Sequence, residues 1–159
     1  MIRNISKGLL LAFCVAVPSS PAFAQYPALV DGGEGCGYVT TEAGNVPTQL
    51  SIFGATVTQI DGKTPMWQRY QHKLAAGKHV LVVGEEIDST RLNTAQLRQI
   101  GKMKARSPNT LKAFILDVQP GTSYRIGTRL IRDRLDTQSI RDNAYWEPVV
   151  WDEKPEPCT

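Results

Sequence analysis

The chain has 159 residues, of which 42% are hydrophobic and 21% are charged, and its formal net charge is +3. This length suits one domain with a single core, and no apolar stretch reaches the roughly 20 residues that a membrane-spanning helix needs. No basic motif is interleaved with aromatic residues, which argues against a nucleic-acid partner.

The first 24 residues have the three-part pattern of a secretory signal peptide. A positive start precedes an apolar run over residues 8–17, and Ala22 and Ala24 supply the small residues that signal peptidase recognises. An uncleaved anchor is the alternative, but an apolar run of about ten residues is too short to span a bilayer. We expect cleavage between Ala24 and Gln25 and a mature chain, residues 25–159, that works in the periplasm or outside the cell.

The cysteines indicate one long-range disulfide. Cys14 leaves with the signal, so the mature chain keeps Cys36 and Cys158, and two cysteines in an oxidising compartment usually pair. In the chain-entropy model a loop of this length contributes about 4–5 kcal/mol. Free thiols and pairing with another chain are the alternatives. There is no Cys-x-x-Cys motif and only His72 and His79 could assist, so we expect no metal, redox site or cofactor.

Short apolar alternations separated by turn residues predict a mainly β chain. Residues 50–60 alternate so that Ala55, Val57 and Gln59 share one face. The continuous apolar run 80–83 predicts a central strand that is buried on both faces. The predicted strands cover residues 50–60, 66–74, 80–83, 111–118, 124–131 and 145–151.

The strand predicted at 124–131 has an apolar face and a basic face. Its even-numbered residues should face the core, and its arginines should mostly point to water. The inward residues are Tyr124, Ile126, Thr128 and Leu130, and the outward ones are Arg125 and Arg129, with Arg132 just beyond.

Two strong turns and one helix separate the strands. Asp61-Gly62 and Pro120-Gly121 are typical turn pairs. A helix is expected over residues 93–104, where Asn93 is an N-cap and apolar residues recur at helical spacing. The whole pattern predicts an antiparallel β-sandwich or partly open barrel of about six or seven strands with one short helix, in a single domain.

Two segments resemble hairpins of exported bacterial proteins. Residues 74–82, Leu-Ala-Ala-Gly-Lys-His-Val-Leu-Val, resemble a hairpin of exported β-sandwich domains that include PEGA-type modules. Residues 118–126, Val-Gln-Pro-Gly-Thr-Ser-Tyr-Arg-Ile, are similar to a hairpin of small envelope proteins and lipoproteins. The resemblance implies an envelope-localised, non-catalytic β domain and brings no catalytic residues with it.

The polar residues do not form a recognisable catalytic set. His79 could act as an acid or base, but at the start of a strand it more often caps a hairpin. Glu85 and Glu86, followed by Asp88, could suggest paired carboxylates or calcium, yet neighbours on a strand face opposite ways and the calcium-loop pattern is absent. We expect a solvated strand end there, no catalytic residues and no enzyme, with a hydrolase as a third hypothesis.

Tryptophans could also provide a platform for carbohydrate. Trp146 and Trp151 differ by an odd number, so on one straight strand they would face opposite sides. We expect at least one of them in the core. Trp67 is the third candidate.

Charge is distributed unevenly along the chain. Residues 91–134 hold ten Lys and Arg against two Asp, whereas residues 25–62 and 142–159 are acidic. Removal of the signal, with Arg3 and Lys7, lowers the net charge from +3 to +1. Either the basic region binds an anionic envelope component, or it pairs with the acidic segments inside the fold. The candidate binding residues are Arg98, Lys102, Lys104, Arg106, Arg125, Arg129 and Arg132.

The sequence thus predicts a non-enzymatic periplasmic or secreted β domain that binds or stabilises a cell-envelope component through a basic face. Lipopolysaccharide phosphates, an acidic polysaccharide or an acidic protein would suit such a face. A protein inhibitor or accessory subunit, which docks through sheet edges and loops, is the alternative.

Overall fold

The structure is a computed structural model that describes residues 35–42, 44–66, 70–107 and 110–159. The expected signal peptide, its cleavage site and Trp67 lie outside these ranges. The described strands are β1 (Cys36–Thr40), β2 (Ile52–Ile60), β3 (Gln71–Ala75), β4 (Gly77–Glu86), β5 (Lys112–Val118), β6 (Thr122–Leu130) and β7 (Trp146–Pro155). The helices are α1 (Thr94–Arg106) and α2 (Thr137–Arg141), with 3-10 turns at Thr48–Leu50, Ser89–Arg91 and Arg132–Arg134.

The strands form one open, mostly antiparallel mixed sheet. Its order is β3-β1-β6-β2-β4-β5, and β7 pairs with β6 along nearly its whole length. β2 pairs with β6 only through Ile52 and Phe53, and from Gly54 onward it pairs with β4. The predicted mainly β class, a sandwich or partly open barrel, is confirmed.

Two features of this fold were not predicted. β1 runs parallel to β6, with Tyr38 opposite Ser123. The second helix, α2, has five residues, and the Asp136 side chain caps it by accepting from the N–H groups of Gln138 and Ser139. So short a helix has no apolar periodicity that a sequence pattern could reveal.

Helix α1 confirms the predicted helix and extends it to Arg106. Asn93 and Gln96 form a capping box, in which each side chain accepts a hydrogen bond from the backbone N–H of the other residue. Ile100 and Met103 are buried, as their helical spacing indicates. The helix therefore packs one apolar stripe on the sheet and exposes the opposite side.

A bulge in β2 makes part of the predicted alternation wrong. Ala55 and Val57 are both buried and share a face as expected, but Gln59 is exposed and Ile60 is buried. The register with β4 shifts between Val57 and Gln59, which leaves Thr58 as the extra residue. One extra residue reverses the side-chain alternation beyond it.

The strand β4 is buried on one face only, which corrects the prediction for residues 80–83. Leu81 and Val83 are fully buried, but Val80 is 37% exposed. β4 lies between β2 and β5, so its central place in the sheet is as expected. The apolar run correctly indicated a paired strand, but only its odd-numbered residues, Leu81 and Val83, are fully buried.

The predicted core face of β6 is confirmed. Trp146 and Trp151 also lie on opposite faces of the sheet, as predicted. Thr128 is fully buried, and its hydroxyl donates to the Gly54 carbonyl at 2.8 Å. Trp146 is fully buried, whereas the ring of Trp151 lies 5.3 Å from the guanidinium carbon of Arg125 on the outer face. The buried β6 residues are Tyr124, Ile126, Thr128 and Leu130.

The disulfide between Cys36 and Cys158 is present, with a Cα–Cα distance of 5.9 Å. Next to it, the Thr159 N–H donates to the Tyr38 hydroxyl at 3.2 Å, and Lys73 Nζ donates to the Thr159 carbonyl at 2.8 Å. The last residues are thereby tied across β1 and β3. The bridge is consistent with an oxidising, extracytoplasmic location.

Within the described ranges, none of the helices has both the length and the apolar character needed to cross a membrane.

Candidate anion-binding surface

The seven candidate basic residues lie on two different sides of the sheet. Ile100 and Met103 of α1 pack into the same core as Tyr124 and Ile126 of β6. Since side chains alternate along a strand, the β6 arginines point away from that core. The α1 group is Arg98, Lys102, Lys104 and Arg106. The β6 group is Arg125 and Arg129, and Arg132 lies in the 3-10 turn that follows β6.

On the outer face of β6, arginines meet carboxylates of β7. Arg129 Nε donates to Glu147 Oε1 at 2.8 Å, and Arg125 Nε lies 3.7 Å from Asp152 Oδ2. Both acids belong to the acidic segment 142–159. Here the basic and acidic segments of the sequence balance each other within the fold.

Arg132 also has an internal contact. Its Nε donates to the hydroxyl of Ser51 at 2.8 Å. Ser51 is buried and adopts a positive φ of 61° where the chain enters β2. Arg132 therefore fastens the segment after β6 to the start of β2.

Lys104 anchors α1 to β4 through a buried carboxylate. Lys104 Nζ donates to Glu85 Oε1 at 2.5 Å, and the Tyr145 hydroxyl donates to the same oxygen at 3.1 Å. The Ile87 N–H donates to Oε2 at 2.8 Å. The Glu85 side chain is only 8% exposed, so the expected solvated strand end is wrong for this residue, although Glu86 is exposed.

The surroundings keep Tyr145 protonated. Burial raises the pKa of Tyr145, and the negative charge of Glu85 and its hydrogen bond raise it further. The hydroxyl thus serves as a permanent donor to Glu85. This cluster holds α1 in place and fixes the position of the basic residues on its other side.

Three cations surround a depression between the C-terminal half of α1 and α2. Its volume is about 280 Å³. Lys102 and Arg106 come from α1, and Arg141 comes from α2. None of the three forms an ion pair with another described residue. The remaining lining residues are Gln99, Met103, Ser107 and Thr137.

The spacing of the cations on α1 places them in one row. Arg98, Lys102 and Arg106 are four residues apart, so they share one face of the helix. Like charges at this spacing destabilise a helix by about 0.2–0.5 kcal/mol per pair. Arg106 lies in the last turn and also interacts favourably with the helix dipole. Arg98 and Lys102 lie too far from the end of the helix to do so.

This arrangement suits a carboxylate or phosphate group. A guanidinium can donate two parallel hydrogen bonds to either group, and the hydroxyls of Ser107 and Thr137 can donate as well. Arg141 was not among the residues predicted from the sequence, because it lies beyond the basic segment 91–134 in a helix that no pattern predicted. Arg98 continues the row on α1 but does not line the depression.

His79 caps a hairpin, as the simpler interpretation of the sequence indicated. Its Nδ1 lies 2.6 Å from Asp61 Oδ2 and its Nε2 lies 2.9 Å from the Ala75 carbonyl. Asp61 Oδ1 also accepts from the Val80 N–H at 2.8 Å. Burial raises the pKa of Asp61, but the hydrogen bonds from His79 and Val80 lower it more, so it lies below its usual value.

Comparison with known proteins finds no family model, no curated protein and no solved structure that matches this chain. The resemblance of two hairpins to envelope β domains therefore stays a prediction. Among the described residues there is also no group of three or more His, Cys, Asp or Glu placed to hold a metal ion.

Proposed function

We propose that this protein is a non-enzymatic, exported β domain that binds an anionic component of the cell envelope. The signal-peptide pattern supports export to the periplasm or outside the cell, with cleavage between Ala24 and Gln25. The disulfide between Cys36 and Cys158 fits the same compartment.

The depression between α1 and α2 carries this proposal. Lys102, Arg106 and Arg141 surround it, and no described carboxylate neutralises them through an ion pair. Four of the other candidate cations have partners inside the fold: Lys104 pairs with Glu85, Arg125 with Asp152 and Arg129 with Glu147, and Arg132 donates to Ser51. The binding surface proposed here is accordingly smaller than the one predicted from sequence.

The volume of the depression limits what it can hold. About 280 Å³ accommodates one phosphate or carboxylate with the atoms next to it, so the rest of a large anion would extend along α1 toward Arg98. Contacts between exposed charges are screened by salt. The binding should therefore be strong at low ionic strength and weak at high ionic strength.

Charge reversal tests the proposal. Oxidised protein of residues 25–159 is incubated with immobilised lipopolysaccharide and with an acidic polysaccharide, at low and at high salt. Lys102→Glu with Arg106→Glu should weaken binding by more than about tenfold, because two attractive contacts become repulsive.

The matched control reverses two exposed lysines elsewhere, Lys63→Glu with Lys78→Glu. It makes the same change in net charge, so any effect of total charge appears in both variants. Equal losses in the two variants would contradict a site between α1 and α2.

A second candidate function, docking to a protein as an inhibitor or subunit, is favoured by an apolar patch on the outer face of β4 and β5. Ile115 is 67% exposed and lies opposite Val80 in the pairing of these strands. Among the described strands β5 pairs only with β4, so it is an edge strand, and exposed edges are common docking sites. A partner that is retained at high salt and lost in Ile115→Lys would support this function.

A further inference from the structure

A second cavity, of about 610 Å³, lies between β2 and β3. The cavity forms because β2 pairs with β6 only up to Phe53. Beyond that point β1 pairs with β6 instead, beside Tyr124 and Arg125. β3 then pairs with β1 and does not pair with β2. The two strands diverge, and the cleft between them is larger than the depression at α1 and α2.

The polar lining of this cleft is different from that of the depression. Hydroxyl groups dominate, and a hydroxyl can both donate and accept a hydrogen bond. Glu86 and His72 add an acceptor and a ring nitrogen, and no lysine or arginine is among the described lining residues. The threonines are Thr41, Thr56, Thr58 and Thr64.

The apolar part of the lining is exposed to solvent. Tyr70 is 71% exposed and Met66 is 68% exposed, and both border the cleft. Large apolar side chains at a concave surface are typical of ligand sites. A tyrosine ring offers a flat apolar face together with a polar end.

The carboxylate of Glu86 is held at the cleft by β2. Thr56 donates its hydroxyl to Glu86 Oε1. Gly54 leaves room for the side chain, since a Cβ there would lie 2.8 Å from Glu86 Oε2. A positioned carboxylate can accept hydrogen bonds from two neighbouring hydroxyls of one ligand.

We propose that this cleft binds a neutral oligosaccharide. A sugar ring has a C–H face, which would pack on Tyr70 and Met66, and hydroxyls at its rim, which would bond to Glu86 and the threonines. A phosphate or carboxylate ligand fits less well, because the Glu86 carboxylate would repel it and no described cation lines the cleft.

The test is an NMR titration of the oxidised, ¹⁵N-labelled mature protein. The probes are the neutral trisaccharides maltotriose, cellotriose and tri-N-acetylchitotriose, each raised to about 10 mM, and inorganic phosphate. We expect saturable shifts at Thr56, Tyr70 and Glu86 with at least one trisaccharide. Absence of saturable shifts there with all three trisaccharides overturns the proposal, and so does a response of these residues to phosphate alone.

Variants add a second readout. Tyr70→Ala and Glu86→Gln should each weaken the binding of the responding trisaccharide by about tenfold. Leu50→Ala, which removes an apolar side chain that is 66% exposed outside the cleft, should leave it unchanged. The ¹⁵N spectra show whether each variant is folded. A folded Tyr70→Ala variant with wild-type affinity overturns the proposal.

Discussion

The outer face of β6 and β7 and the surface formed by α1 and α2 are both rich in arginine, yet they differ in what their cations contact. Arg129 on β6 lies opposite Glu147 on β7, and Arg125 lies opposite Asp152. Arg106 and Arg141 meet at the edge of a depression, and neither forms an ion pair with a described residue. The comparison shows that the register of paired strands decides which positive charges are neutralised and which are available to a ligand.

The largest expected effect comes from removing the anchor beneath α1. Glu85→Ala would leave the buried Tyr145 hydroxyl without its acceptor and Lys104 without its partner. We expect a loss of about 3 kcal/mol in the free energy of unfolding, measured by urea denaturation. Glu153→Ala, at an exposed residue near the end of β7, should change it by less than about 0.5 kcal/mol. A loss below about 1 kcal/mol in Glu85→Ala would show that the cluster does not hold the helix.

The next prediction separates the two basic surfaces. Arg141→Ala should weaken binding to the acidic polysaccharide by about threefold to tenfold, because one cation of the depression is lost. Its unfolding free energy should change by less than about 0.5 kcal/mol. Arg129→Ala should show the opposite pattern, with unchanged binding and a loss of about 0.2–1 kcal/mol from its pair with Glu147. If the two variants changed binding and stability in the same way, the two basic surfaces would not differ in function.

The smallest expected effect concerns Asp61, a carboxylate held by hydrogen bonds away from both surfaces. Its pKa is lower in the folded chain than its usual value, so below about pH 4 the unfolded chain binds more protons than the folded one. Its contribution to stability is present above the unfolded pKa and is lost as the pH falls through the folded pKa. Asp61→Asn should therefore show a shallower fall in unfolding free energy below pH 4 than the wild type. If the unfolding free energies of the two proteins fell equally steeply below pH 4, Asp61 would not have a lowered pKa in the folded chain.

The parts of the fold that could be predicted depend on local sequence. The alternation at Tyr124–Leu130, the turn at Pro120-Gly121 and the cap at Asn93 each follow from residues that are close neighbours in the chain. The disulfide was predictable as well, because the expected cleavage would leave only Cys36 and Cys158. Each of these features can be predicted without knowing which strands pair.

The missed features depend on contacts between distant residues. The bulge at Thr58 is defined only against β4, and the burial of Glu85 depends on Lys104 and Tyr145. Two of the three cations at the depression, Lys102 and Arg106, were candidates from the sequence, but Arg141 comes from a helix too short for a pattern to show. A count of charges along the sequence could find the cations but could not find their partners.

The most direct measurement of the central claim is a map of where an anion binds. Inorganic phosphate is titrated into the oxidised, ¹⁵N-labelled mature protein at low ionic strength, and amide shifts are followed across the chain. We expect saturable shifts at Lys102, Arg106 and Arg141 that disappear at high salt. Shifts centred on Arg125 and Arg129, or no saturable shift around the depression, would contradict it.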